Sequence, residues 1–282
     1  MDKTVAVLAR TNRALAPIEQ ALSEAEVPFY YVNRSGFFSA PEIRSVLAYL
    51  GCVNYPADWL LSGAIKTNLW PSKFLPKTKL LASLKENQEK KEPSYWSLLS
   101  TPEKLVDSKN IGAVRDFTSF IHGLSRYRHL RADEALKQVL TALKAVDYYH
   151  SEEAAIDSDP IENLSTLVKI AKRFDSVKEF MDYSRRVIAA SKKKAGVGLS
   201  TVHGFKGLEA DKIYLVGVSE GILPHAKSDD LEAERNIFFV GCSRPKRELI
   251  ITYNGTPSPF LKVNYFQQYG ESNRQNDIQK NS

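Results

Sequence analysis

Apolar residues along this chain fall into runs of two kinds. Thr4-Val-Ala-Val-Leu-Ala9 is almost continuously apolar, which predicts a strand buried on both faces. Phe29-Tyr-Tyr-Val32, Leu199-Ser-Thr-Val202, Ile213-Tyr-Leu-Val-Gly-Val218 and Leu249-Ile-Ile-Thr-Tyr253 are short, β-branched or aromatic runs and predict further strands. Between residue 42 and about 191 the period changes to that of helices. Val46, Leu47 and Leu50 make one stripe, Leu136, Val139, Leu140 and Leu143 a second, and Ile161, Leu164, Val168, Ala171 and Phe174 a third. A polar stretch from Lys85 to Lys91 and breaks at Pro93, Pro102 and Pro160 separate them. Two helices are expected among the strands. One carries Leu15, Ile18 and Leu22 with Pro17 in its first turn. The other starts near Leu231, has Glu232 and Glu234 in its first turn, and ends in Arg244-Pro245-Lys246-Arg247.

From Leu199 onward the order is strand, glycine turn, strand, helix, strand. That order predicts an open α/β sheet with its sites beyond the carboxyl ends of the strands. The helical stretch then reads as a domain inserted into the α/β domain, with crossings near Tyr49 and Ser191. From Lys192-Lys-Lys194 the chain returns to the sheet, and a polar tail from about Gln267 is expected to be disordered.

Charge and cysteine content narrow the class. A net charge of +6 mildly favours a polyanionic partner but fits an ordinary protein as well. Cys52 and Cys242 both lie in apolar surroundings, which argues against a disulfide framework or zinc site. No run approaches membrane-spanning length and no apolar signal region opens the chain, so a cytoplasmic protein without membrane contact is expected.

Two segments carry a sharper signal. Thr201-Val-His-Gly-Phe-Lys-Gly-Leu-Glu209 resembles motif V of the UvrD/Rep/PcrA-type superfamily 1 DNA helicases. Glu234-Arg-Asn-Ile-Phe-Phe-Val-Gly-Cys-Ser-Arg244-Pro-Lys246 resembles their motif VI. Leu8-Ala-Arg-Thr-Asn-Arg13 resembles motif IVa, and Gly36-Phe-Phe-Ser-Ala-Pro-Glu-Ile43 the aromatic turn that follows. The resemblance implies a RecA-like (P-loop NTPase-type) parallel sheet domain, 2A, with an all-helical insertion, 2B. Residues 1–48 and 192–265 would form 2A, residues 49–191 the 2B-like insertion, and residues 266–282 the tail.

Some family features are missing from these residues. There is no G-x-x-x-x-G-K-[ST] loop, no apolar strand ending in paired acids, and no Gln-Asn-Tyr-Arg-type motif IV. The Gly-x-Gly step of the family's insertion is not visible around Lys66 to Lys77. The resemblance therefore implies the second half of a motor. ATP with Mg²⁺ would be shared with N-terminal 1A and 1B domains, and this chain alone would be inactive.

Within that frame each candidate has a bland alternative. Arg244 is expected to stabilise charge on a transferring phosphoryl group, a task suited to a planar, permanently charged guanidinium. Otherwise it is a basic helix end facing the dipole. Gly207 and Glu209 are the nucleotide-site candidates, glycine for close backbone approach and the carboxylate for ribose hydroxyls. The other reading of Glu209 is a surface loop acid. Thr201 and His203, with Arg10 and Asn12, are candidates for gripping single-stranded DNA through its backbone. Capping of the first helix by Asn12 is the other reading. Lys206 suits phosphate from either ATP or DNA. Tyr30, Tyr31, Phe37 and Phe38 offer faces to bases, but their positions favour the core. Family-typical residues are replaced at Ser243 (Thr), Pro245 (Ala) and Ala210 (Phe). The expected function is the C-terminal motor half of an ATP-dependent DNA helicase. The alternative is a stand-alone, non-enzymatic DNA-binding subunit that pairs with a separate P-loop subunit.

Overall fold

The computed structural model describes residues 4–32, 36–89, 94–150, 160–190 and 195–261. The expected tail from 266 to 282, Lys192 to Lys194 and Pro93 lie outside them. Strands β1 (Val5–Ala9), β2 (Phe29–Tyr31), β3 (Val197–Thr201), β4 (Ala210–Leu215) and β5 (Pro245–Ile251) form one sheet in the order β2-β3-β1-β4-β5. Every pairing is parallel. This is the predicted α/β, RecA-like sheet.

Helices α1 (Asn12–Glu24) and α11 (Leu231–Cys242) connect strands. The remaining helices are α2 (Pro41–Cys52), α3 (Asp58–Lys66), α4 (Lys77–Glu89), α5 (Tyr95–Leu99), α6 (Ser108–Gly123), α7 (Ala132–Ala142), α8 (Ala145–His150), α9 (Pro160–Ala171) and α10 (Val177–Ala190). The expected boundary at Tyr49 falls inside α2, which runs unbroken across it.

Alternation along β1 divides the core. Val7 and Ala9 face one way and join α1 and the helical region in a single apolar cluster. Ala6 and Leu8 face the other way, against Ile237 and Phe238 of α11. Polar ties join the helical region to α1, Arg13 to Glu162 at 2.5 Å and Arg173 to Glu24 at 2.8 Å, and within that region buried Asn163 bonds buried Glu42. Phe37 and Phe38 are core residues, with Phe38 packed edge-on against Phe180 and Tyr183.

Several element ends differ from expectation. The cap of α1 is Thr11, whose Oγ1 accepts from Ala14 N at 3.4 Å, so Asn12 is the first helical residue and Pro17 lies in the second turn. There its missing N–H leaves the Arg13 carbonyl without a helical donor. Helix α11 stops at Cys242 rather than at Arg244, because Pro245 disfavours helical geometry in the residue before it. Proline is tolerated as the first residue of a strand, and β5 begins there. Strand β4 starts at Ala210 and ends before Gly217, whose φ of +71° turns the chain away. Residues Lys85 to Glu89 continue α4 instead of forming a polar break.

Candidate functional site

Because the strands run in parallel, the sheet has a carboxyl edge and an amino edge, and the candidate residues divide between them. At the carboxyl edge, Arg10 and Thr11 follow β1 and Thr201 ends β3. Val202 N donates to Ala9 O at 2.9 Å, and a short 3₁₀ turn, His203–Phe205, comes next. His203 and Lys206 are exposed. Asn12 is half-buried, and its Oδ1 has no hydrogen-bond partner among the described residues.

Two candidates on this edge are turned inward. Thr201 is 3 % exposed and its Oγ1 accepts from Gly204 N at 3.1 Å, so the hydroxyl closes the turn. Arg10 is 4 % exposed. Its Nε donates to both carboxylate oxygens of Glu234 at 3.1 Å and its Nη2 to Oε1 at 2.8 Å. His225 N donates to Glu234 Oε2 at 2.9 Å. The expected contact of Arg10 with a DNA phosphate is therefore corrected: its guanidinium is committed to a buried carboxylate and braces β1 against α11.

Burial by itself would raise the Glu234 carboxyl, but the bonds from Arg10 and the His225 amide, with the Arg10 charge, hold it below the usual value. Burial and then the Arg10 charge push the His225 imidazole down. The sequence signal for this network was present. Glu234, Ile237, Phe238 and Gly241 follow helical spacing on one face, and a carboxylate on an apolar face requires a partner.

The segment from Val202 to Glu209 carries the chain from the carboxyl end of β3 to the amino end of β4. Val202 and Phe205 bury in the cluster beneath α11, so the segment crosses the sheet on that face. Gly241 permits the fit. A Cβ there would stand 3.1 and 3.2 Å from the two methyls of Leu215 and 3.5 Å from Val202.

At the amino edge the crossing ends beside Arg244. Ala210 N donates to Arg244 O at 3.4 Å, and Glu209 meets Lys246 at 3.7 Å, both side chains 56 % exposed. Lys246, itself solvated, is thus the neighbour of Glu209, because β4 and β5 start side by side. Gly207 has φ +84° and no atom within 4 Å of where a side chain would begin, so its backbone is open to close approach. The Arg244 guanidinium lies along the last turn of α11, with Nε donating to Val240 O at 3.0 Å and Nη2 to Ser243 Oγ at 2.9 Å. It is half-buried and makes no ion pair among the described residues.

A guanidinium free of carboxylates, an exposed carboxylate and an open glycine backbone fit one wall of a nucleotide site. The general expectation of a site beyond the carboxyl ends thus suits the His203 side alone. The nucleotide candidates stand at the opposite edge. No helix among the described residues is long and apolar enough to cross a membrane.

Comparison with known proteins identifies the family. Residues 1–256 match the family described as the UvrD-like helicase C-terminal domain. The chain is 28 % identical over 274 residues to the ATP-dependent DNA helicase Rep of Buchnera aphidicola subsp. Acyrthosiphon pisum, covering 88 % of this chain and 41 % of that protein. It is 26 % identical over 284 residues to DNA helicase II of Escherichia coli K12, covering 92 % and 38 %. It is 25 % identical over 269 residues to the ATP-dependent DNA helicase PcrA of Bacillus subtilis 168, covering 88 % and 36 %. The chain thus spans about two fifths of the length of these relatives. With a family match over most of its length and the parallel sheet that the match implies, the chain belongs to the UvrD-like helicase C-terminal domains.

Proposed function

We propose that this chain is the C-terminal motor half of an ATP-dependent DNA helicase, comprising domain 2A (residues 1–48 and 192–265) and a 2B-like helical insertion (residues 49–191). The nucleotide wall lies at the amino edge of the sheet and the single-stranded DNA track at the carboxyl edge. The observation that carries this reading is the Val202–Glu209 crossing, which begins beside exposed His203 and ends with Ala210 bonded to Arg244.

ATP–Mg²⁺, when bound by the N-terminal 1A and 1B domains, supplies the phosphoryl group whose cleavage drives movement. On this chain, Arg244 leaves the last turn of α11 and places its guanidinium against that group. Glu209 accepts from sugar hydroxyls, and the Gly207 backbone allows close approach. His203, Lys206 and Asn12 hold the DNA backbone without reading its sequence. Arg10 and Thr201 position these elements from within the core. The proposed setting is cytoplasmic, and the chain without its P-loop half does not hydrolyse ATP.

The test is separation of function in the enzyme that contains both halves. His203→Ala with Lys206→Glu is expected to weaken oligo(dT) binding, and loss of Lys206 should lower the steepness of log K against log salt by about 0.7. Glu209→Ala is expected to raise KM for ATP while leaving oligo(dT) affinity unchanged. If the two sets of variants impair the same quantity, the two-edge assignment is wrong.

A further inference from the structure

A groove outside both edges carries chemistry that the motor reading does not use. It lies between α2, α3 and α10, with a cavity of about 370 Å³. Trp59, Gly63 and Lys66 recur at helical spacing on the face of α3 opposite its buried Leu60, Leu61, Ala64 and Ile65. Arg44 of α2 and Arg185 of α10 line the other walls, above an apolar floor that includes Ala48 and Met181. Gly63 lets the two helices close tightly, since a Cβ there would stand 3.0 Å from that of Ala48.

Trp59 is 56 % exposed, and the Arg185 guanidinium lies 5.9 Å from its ring centre. Arg44, Lys66 and Arg185 are all exposed. Among the carboxylates nearby, Asp182 pairs with Arg185 at 2.6 Å, and Asp58 accepts from Tyr95 N at 2.9 Å. Three cations thus stand around an exposed indole with one carboxylate engaged among them. Burial of the helices does not require this arrangement, because the apolar face of α3 is satisfied on its other side.

We propose that this groove is a second binding site for single-stranded nucleic acid, in which Trp59 stacks on a base while Arg44, Lys66 and Arg185 meet phosphates. A polyanion supplies the complementary charge. A single strand is favoured over a duplex because only an unstacked base offers its face to an indole. Trp59 and Lys66 are about 10 Å apart along α3, room for a base and a neighbouring phosphate. The apolar floor receives the sugar edge of the same nucleotide.

The experiment is titration of the 282-residue chain with oligo(dT), followed by tryptophan fluorescence. Stacking is expected to quench emission, and the quench is expected to vanish in Trp59→Phe, which keeps a stacking ring but removes the reporter. Trp59→Ala should weaken binding at this site about tenfold. Arg44→Gln with Lys66→Gln should lower the salt slope of the Trp59 quench by about 1.4. All three side chains are exposed, and equal thermal midpoints for native and variant chains exclude misfolding.

The quench should survive His203→Ala with Lys206→Glu, which keeps this test apart from that of the motor track. A quench equal in Trp59→Phe, or unaffected by Arg44→Gln with Lys66→Gln, overturns the proposal. So does equal or stronger quenching by a blunt duplex or by polyglutamate, which would assign the groove to another anion. Loss of oligo(dT) binding in His203→Ala with Lys206→Glu, with no Trp59 quench in the native chain, would remove the groove and leave the motor reading standing.

Discussion

Glu234 and Arg10 illustrate what a single residue decides in this protein. Both are nearly inaccessible, and the permanently charged Arg10 guanidinium, 2.8 Å away, helps to keep the buried Glu234 carboxylate ionised. Removing one partner leaves a buried charge, so Glu234→Gln is expected to lower unfolding stability by about 3–5 kcal/mol. Replacing both with apolar residues, as in Arg10→Met with Glu234→Leu, should recover much of that loss. Urea unfolding of the single and double variants checks the prediction; additive losses would contradict the pairing. The sequence pointed Arg10 at a phosphate, and the buried acid was missed because an arginine after a strand suits either partner. Only the helical face of Glu234 distinguished them.

Three titratable groups give the fold a pH dependence of mixed sign. Glu234 has a depressed folded-state value, so its contribution is present above the unfolded carboxylate range and lost as pH falls through the folded value. The depressed His225 acts in the same direction, because the unfolded chain takes up its proton first as pH falls. Glu19 opposes them. It is 2 % exposed, its Oε2 has no hydrogen-bond partner among the described residues, and burial drives it from 4.5 up to about 7. Its folded form retains a proton that the unfolded chain releases, so stability declines from about pH 4.5 to about pH 7, by roughly 3 kcal/mol in total. Glu19→Gln should remove that decline. Unfolding midpoints at pH 5 and pH 8 should then show a gain for the variant at pH 8 alone; equal gains at both would show that Glu19 does not titrate in this window.

At the scale of elements, the packing of α11 on the crossing sets the geometry of both edges. Gly241 fits α11 closely onto Leu215 and Val202, and Gly241→Ala should cost about 1–3 kcal/mol through overpacking against Leu215. A thermal midpoint equal to that of the native chain would show that Leu215 moves aside freely. Strand identities were legible from short apolar runs, and the helical region from its change of period. Element ends were less so. The chemistry of Pro245 pointed both to a helix stop and to a strand start, and only pairing with β4 decides between them. The continuation of α4 through Lys85 and Glu86 was hidden because polar residues lack an apolar stripe to mark their helix. The apolar surroundings of the two cysteines were legible in the sequence. Burial pushes both thiols up to about 12.

At the scale of the whole molecule, the sheet and the core it shares with the helices give a body with a carboxyl edge and an amino edge, to which we assign the strand track and the nucleotide wall. The motifs announced the chemistry of those edges, but not that they lie on opposite sides of the sheet. That fact depends on strand direction: β3 and β4 both run parallel to β1, so the chain must return from the carboxyl edge to the amino edge within Val202 to Glu209. The relatives are more than twice as long as the stretch they share with this chain, which fits a motor whose nucleotide is held between two halves. The measurement that tests the proposed function most directly is strand-stimulated ATP turnover by the proposed enzyme of both halves, compared with its Arg244→Ala variant. The account predicts that turnover falls roughly a thousandfold or more, with oligo(dT) affinity and thermal midpoint unchanged. Native turnover in that variant would contradict it.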